Sequence, residues 1–489
     1  MKTFIISIGG SGAKIVKAIV SICAAGLINN VEEIHILFVD QDKSNGNLED
    51  SRSYLALYSE INKILEETKE SKIFKAKIKD HGIWIPALKA KNFNEVISYN
   101  TMPEEKRYLI KTLFDKNEAL GEGGESNMIK FEDGFIGRPA FGSVTFTKNL
   151  NENTFSADPW NEFIKEIQNT AVGEEPIITL VGSIFGGTGA SGIPTIAKRL
   201  RDYLPNKNVE KFKIKGILLF PYFIFITSDE ETKKFAQAYN FNLKVYIAIK
   251  HYEELLKEVF NKLYFIGLDK YQEVKAAPGG PNQKNPANIV ELYSALAFRH
   301  AISSSNEEDQ KGFYLIKRES LDKISWTDIP ESMAVKQELS AFLRFSFMFS
   351  SLIYPILKER NNYKPKDIPW LFDYVNYVNS QELAKISESC EKIKKFSDEF
   401  LCWMAELVES NINIEIFDKE ILKDIKTKIE EKEKLPTPLK NMVNLIKDIG
   451  KELYLDADEI WIELCKGSGK FNNFLIKLYD QCYPKKGGD

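Results

Sequence analysis

Residues 182–192 read GSIFGGTGASG, between the apolar run EPIITLV and the helical pattern IPTIAKRLRDYL. The β-branched run before it and the helically spaced apolar residues after it make the stretch a strand–loop–helix junction. Gly186, Gly187, Gly189 and Gly192 give the loop conformations that other residues resist. That freedom serves either a tight turn or the approach of a ligand to bare amides. A glycine loop entering a helix offers an anion unpaired N–H groups and the positive end of the helix dipole. Thr188 and Ser191 add hydroxyls.

Two further strand ends carry unusual residues. TFIISIGGSGAKIV places Gly9, Gly10, Ser11 and Gly12 between a short strand and a helix. EIHILFVDQD ends a second strand in Asp40, Gln41 and Asp42. A polar, Lys- and Glu-rich helical region follows to about residue 120. KFKIKGILLFPYF and KLYFIGLD read as later strands, with a long helix from DEETKK to KEV between them. Strands alternating with helices predict a parallel sheet covered on both faces, with ligands at the carboxyl ends of the strands. Two standard phosphate motifs are not met. GxxxxGK[ST] is absent from both loops, and Ile15 stands where GxGxxG requires glycine.

A chain of 489 residues predicts more than one core, and 43% apolar residues suffice to fill them. A net charge of −4 gives no sign of a nucleic-acid partner. Five cysteines without CxxC spacing read as free thiols of a reducing cytoplasm. Glycines and Lys14 interrupt the N-terminal apolar run, against an export signal, and FSFMFSSLIYPIL is too short to span a bilayer. A cytoplasmic protein without a membrane span is expected. His35, His81, His251 and His300 stand isolated, which favours structural roles over metal ligation.

Together these segments resemble the tubulin/FtsZ superfamily of GTP-binding proteins, and divergent bacterial tubulin-like proteins most. The family's GGGTG[TS]G signature is close to FGGTGASG, with Phe185 replacing the leading glycine and Ala190 inserted before Ser191. The resemblance implies GTP or GDP with Mg²⁺ in a Rossmann-like GTPase-type domain over residues 1–310. Gly9, Gly10, Ser11, Gly12, Gly186, Gly187, Thr188, Gly189, Ala190 and Ser191 would cradle the phosphates. Asp40, Gln41 and Asp42 would lie beside the nucleotide. Gly137 and Arg138, in GFIGRPAFGS, match the loop that closes over the γ-phosphate, with GEGGESN upstream as a competitor. Glu230 and Lys234 match the ribose segment. Asn285 and Asn288, at the start of the helix NPANIVELYSALAFRHAI, match the purine contacts, although an Asn there also serves as a plain helix cap. One ring of PYFIF is a base-stacking candidate.

In the family an acidic loop of the next subunit completes hydrolysis. Glu308 and Asp309 in SSSNEEDQKG are the candidates for that role in trans; a solvated acidic turn reads the same. Residues 311–489 read as a mainly helical domain, unlike the family's second domain. Two functions are therefore expected: a slow, assembly-dependent GTPase forming filaments or finite oligomers, or a non-hydrolysing nucleotide-binding scaffold. The scaffold's C-terminal helices would bind a partner protein, within a bacterial stress-response or phage-defence system.

Overall fold

The computed structural model describes residues 1–66, 71–114, 131–135, 137–226, 239–275, 279–303, 322–359, 380–409, 412–435 and 471–483. Its frame is a six-stranded sheet of β1 (Lys2–Ile8), β2 (Glu33–Val39), β3 (Lys77–Trp84), β4 (Ile177–Ser183), β5 (Lys213–Leu219) and β7 (Lys262–Ile266). Their spatial order is β3-β2-β1-β4-β5-β7, and every neighbouring pair is parallel. The chain runs outward from β1 to β3 and then returns to β4. The order therefore reverses between β1 and β4, and a crevice opens at such a point at the carboxyl edge of the sheet.

Helices cover both faces. On one side lie α1 (Gly9–Ala24), α2 (Gly46–Leu65) and, further along, α7 (Ile289–Ser303). On the other lie α3 (Pro139–Asn149), α4 (Trp160–Ala171), α5 (Thr188–Tyr203) and α6 (Tyr239–Glu258). The central strands are buried on both faces, which explains why TFIISI and IITLVGS read as unbroken apolar runs.

After residue 322 the described chain is helical: α8 (Ser332–Met348), α9 (Ser380–Val408), α10 (Lys419–Glu430) and α11 (Phe471–Cys482). These helices share one continuous apolar core with α1, α2 and α7, running from Ile5 to Cys482. They thicken one face of the sheet: Tyr54 of α2 stacks on Phe396 of α9 at 4.3 Å. The stretch Ser332–Lys358 is long and apolar enough to cross a membrane, with a mean hydropathy of 1.4 in its best window, and 89% of that window is buried within this core.

Several sequence expectations need correction. The supposedly helical region before residue 120 contains β3, an edge strand whose lysines and histidine mask its period. Within KFKIKGILLFPYF the strand β5 ends at Leu219, short of Pro221, which cannot donate to the ladder. The next strand, β6 (Phe223–Ile226), begins at the last residue of that run, leaves the main sheet and pairs with β8 (Gln272–Lys275). The region after residue 322 also holds a two-residue strand, β10 (Asn413–Ile414), paired with β9 (Lys323–Ile324). His35 and His81 are not isolated: their rings hydrogen-bond at 2.9 Å between β2 and β3.

Candidate functional site

Three helices start at the carboxyl edge beside the β1/β4 reversal: α1 directly after β1, α2 after β2, and α5 after β4. Neither α1 nor α5 has a side-chain cap or an acid in its first turn. Their first amides and positive dipole ends are therefore left to the crevice.

The two glycine loops meet there. Gly9 has φ +74°, and a Cβ on it would stand 3.5 Å from both the amide nitrogen of Gly189 and Cβ of Thr188. Gly12 and Gly189 are glycine for packing reasons. A Cβ at Gly12 would lie 2.7 Å from the Val181 carbonyl, and one at Gly189 would intrude on the Ser183 carbonyl. Gly9, Gly10, Ser11, Gly186 and Ala190 remain partly exposed, so the crevice rim is open to a ligand. The segment carrying Gly137 and Arg138 borders the second loop. A Cβ on Gly187 would meet Phe135 Cβ at 2.8 Å and the Gly137 amide at 3.2 Å.

The hydroxyls divide. Ser191 donates back into its own helix, to the carbonyl of Gly187 at 2.7 Å, and is fully buried. Thr188 donates to Asp40 Oδ1 at 3.2 Å. Ser11 is bonded to the buried Tyr222. The aromatic run PYFIF thus supplies Tyr222 as a brace behind the first loop.

Asp40 is 3% exposed. Its Oδ1 accepts from Thr188 and from the Asp42 amide at 3.3 Å, while Oδ2 is buried without a partner. Burial, with the nearby Asp42 charge, pushes its carboxyl up to about 7. Its two sequence neighbours are occupied elsewhere. Gln41 accepts from Ala87 N at 2.9 Å and donates to Phe131 O at 3.3 Å. Asp42 accepts from Ser44 through one oxygen and from Gly280 N, at 2.7 Å, through the other. Both therefore brace loops.

The start of α2 is closed by protein. Asn45 caps it, accepting from Asn47 N at 3.0 Å and Leu48 N at 3.3 Å. The carbonyls of Gly280 and Gln283 take the amides of Gly46 and Asn47, each at 3.1 Å. Asn285 follows in this loop, its amide held by Asn47 Oδ1 at 3.0 Å, with its side chain lining a neighbouring cavity. Asn288, rather than Asn285, caps α7: its Oδ1 accepts from Val290 N and its own amide donates to Glu291, as in a capping box. Its Nδ2 donates to Gln272 at 2.8 Å, so the whole amide is engaged.

Sequence reasoning missed the supports. Lys14, one turn into α1 and 7% exposed, donates to the Pro286 carbonyl and pairs with Glu291 at 2.7 Å. Burial opposes the charge, and the Glu291 carboxylate outweighs it, holding the Lys14 ammonium above its ordinary value. Glu406 of α9 accepts from Ala287 N at 2.7 Å, which ties the C-terminal helices to the same loop. The Asn-Gly-Asn run at 45–47 was a legible cap signal; the Lys14–Glu291 pair spans too much sequence to be seen. The cavity beside Asn285 measures about 1020 Å³ and lies between α1, α2 and α9. Its cations are largely matched, as in Lys17 and Lys284, which both pair with Asp50.

Glu230, Lys234, Glu308 and Asp309 lie outside the described residues, as does GEGGESN. Among the described residues no group of three His, Cys, Asp or Glu side chains is placed to hold a metal ion. Comparison with known protein families and with curated proteins finds no match to the chain.

Proposed function

We propose that the chain binds a nucleotide in the crevice between the starts of α1 and α5, in the manner of the tubulin/FtsZ proteins it resembles. The observation that carries this reading is the meeting of two uncapped, acid-free helix starts at the point where the strand order reverses. Two such starts complement a polyphosphate, since each contributes free amides and a dipole end. The amides of Gly9–Gly12 and Gly186–Ala190 and the Thr188 hydroxyl are the phosphate donors. Ser191 serves the helix instead. Asn285 remains the base contact, with Glu230 and Lys234 at the ribose. The preference for GTP or GDP over adenine nucleotides rests on the resemblance. With no protein cage among the described residues, Mg²⁺ would be held chiefly by the nucleotide's own phosphates, its common mode.

Within this reading hydrolysis is slow and depends on self-association, with Glu308 and Asp309 supplied by a neighbouring subunit in a filament or finite oligomer in the cytoplasm. The bond from Glu406 to Ala287 favours the scaffold alternative as well. It gives the helical region, and any partner protein bound to it, a direct hold on the loop carrying Asn285. Titrating GTP and ATP with Mg²⁺ while following turnover and light scattering across protein concentration tests both. Turnover per molecule that rises with concentration supports the assembling GTPase. Tight binding without turnover leaves the scaffold, and no binding removes the nucleotide reading.

A further inference from the structure

The unpartnered oxygen of Asp40 is a buried polar atom, at the junction of the two loops, that the nucleotide reading leaves unused. Thr188 is both the residue against which Gly9 packs and the donor to Asp40 Oδ1, so Asp40 stands where the two loops join. Each element packed around it is accounted for. α5 presents Thr188, β3 presents the Trp84 carbonyl to the Asp40 amide at 3.3 Å, and the β2 loop presents Gln41 and Asp42. Of these only Asp42 is an acid, and its proximity raises the Asp40 carboxyl further. The ionised form of Asp40 is thus disfavoured, yet the neutral form leaves an O–H without an acceptor. A ligand oxygen brought against Oδ2 relieves both problems.

We propose that Asp40 determines which ionic form of nucleotide the crevice accepts: as a neutral acid it donates Oδ2–H to a phosphate oxygen, so metal-free nucleotide binds with uptake of a solvent proton. A protonated carboxyl is a donor that a carboxylate is not, and its bond to an anionic oxygen is charge-assisted. Nucleotide that arrives with Mg²⁺ has its phosphates already neutralised and needs no such proton. Asp40 therefore discriminates between the two forms, with metal-free binding favoured as pH falls. The proposal rests on the nucleotide reading above.

The test is calorimetric titration with GTP, in EDTA and in Mg²⁺, from pH 7 to 8.5, in Tris and in HEPES, whose ionisation enthalpies differ. In EDTA the affinity of the wild type falls about tenfold per pH unit above neutrality, and the enthalpy differs between buffers by nearly one proton at the upper end. Asp40→Asn keeps binding, because its amide still donates, and loses both dependences; Mg²⁺ abolishes both in the wild type. Metal-free binding that is indifferent to pH and buffer, or a dependence that survives in D40N, overturns the proposal while leaving the nucleotide reading intact. Absence of GTP binding under every condition overturns both. The wild-type buffer pair decides the matter even if D40N does not fold.

Discussion

The start of α2 and the starts of α1 and α5 share one sheet edge and meet opposite fates. At α2 the chain answers its own amides: Asn45 caps those of Asn47 and Leu48, Gly280 O takes that of Gly46, and Gln283 O shares that of Asn47. At α1 and α5 no side chain caps the start, and neither first turn carries an acid. A buried helix start without partners is costly, and the open starts at the rim of the crevice are what the nucleotide reading proposed above rests on. The glycines at 186–192 therefore do two jobs. Gly189 lets the helix seat against β4, and the loop enters α5 without a side-chain cap.

Four predictions break or sharpen this contrast. The largest loss is expected at the support behind the open α1 start. Lys14→Met strands Glu291 as an unpaired buried charge, with a cost of about 3–5 kcal/mol. Chemical denaturation measures it, and Lys14→Met/Glu291→Leu, which removes both charges, should recover most of the loss.

Asp40→Asn acts in the opposite direction and depends on pH. The folded protein holds the Asp40 proton up to about 7, above an ordinary carboxyl. Folding therefore takes up a proton between the two values, and wild-type stability falls as pH rises across that window. The penalty is nearly absent near pH 4 and complete above pH 7, where it reaches at most about 4 kcal/mol. D40N should melt higher than wild type at pH 8 and nearly level with it at pH 4.5. Equal melting temperatures at both would show that Asp40 is not held protonated.

Gly189→Ala forces a methyl against the Ser183 carbonyl and displaces the first turn of α5. We expect a stability loss of about 1–3 kcal/mol, together with loss of nucleotide binding. Gly186→Ala meets only the Ser183 hydroxyl at 3.0 Å and should keep both. Binding that survives G189A would detach the second loop from the site.

The smallest effect separates the closed start from the open ones. Asn45→Ala removes a cap and should cost about 1 kcal/mol. Thermal melts and nucleotide titration together would show a lower melting point with little change in affinity. A large loss of affinity would mean that the α2 start also belongs to the site.

Much of the frame was legible because its signals are local. TFIISI and IITLVGS announce doubly buried strands by their unbroken apolar runs, and the glycines after each announce a helix entry. β3 was hidden because an edge strand with one wet face tolerates lysine, and its period was mistaken for helix. Pro221 carried the break between β5 and β6 in plain view, but that β6 pairs with β8 depends on residues about fifty positions away. Among the site residues the glycines were found by type, whereas the duties of Gln41, Asp42, Ser191 and Asn288 were not. Polar side chains of those kinds serve a ligand or a loop equally well, and only their distances to Phe131, Gly280, Gly187 and Val290 assign them.

The sequence by itself determined that strands alternate with helices and that two glycine loops open helices, because strand burial and backbone conformation are properties of short segments. Only the tertiary structure decided that those loops meet, that the α2 start is closed while they stay open, and that Asp40 is left with one unanswered oxygen. It also decided that the C-terminal helices share a core with α1 and α2. Those outcomes depend on which distant groups the strand order brings within hydrogen-bonding reach, and the residues involved lie as far apart in the chain as Asp42 and Gly280.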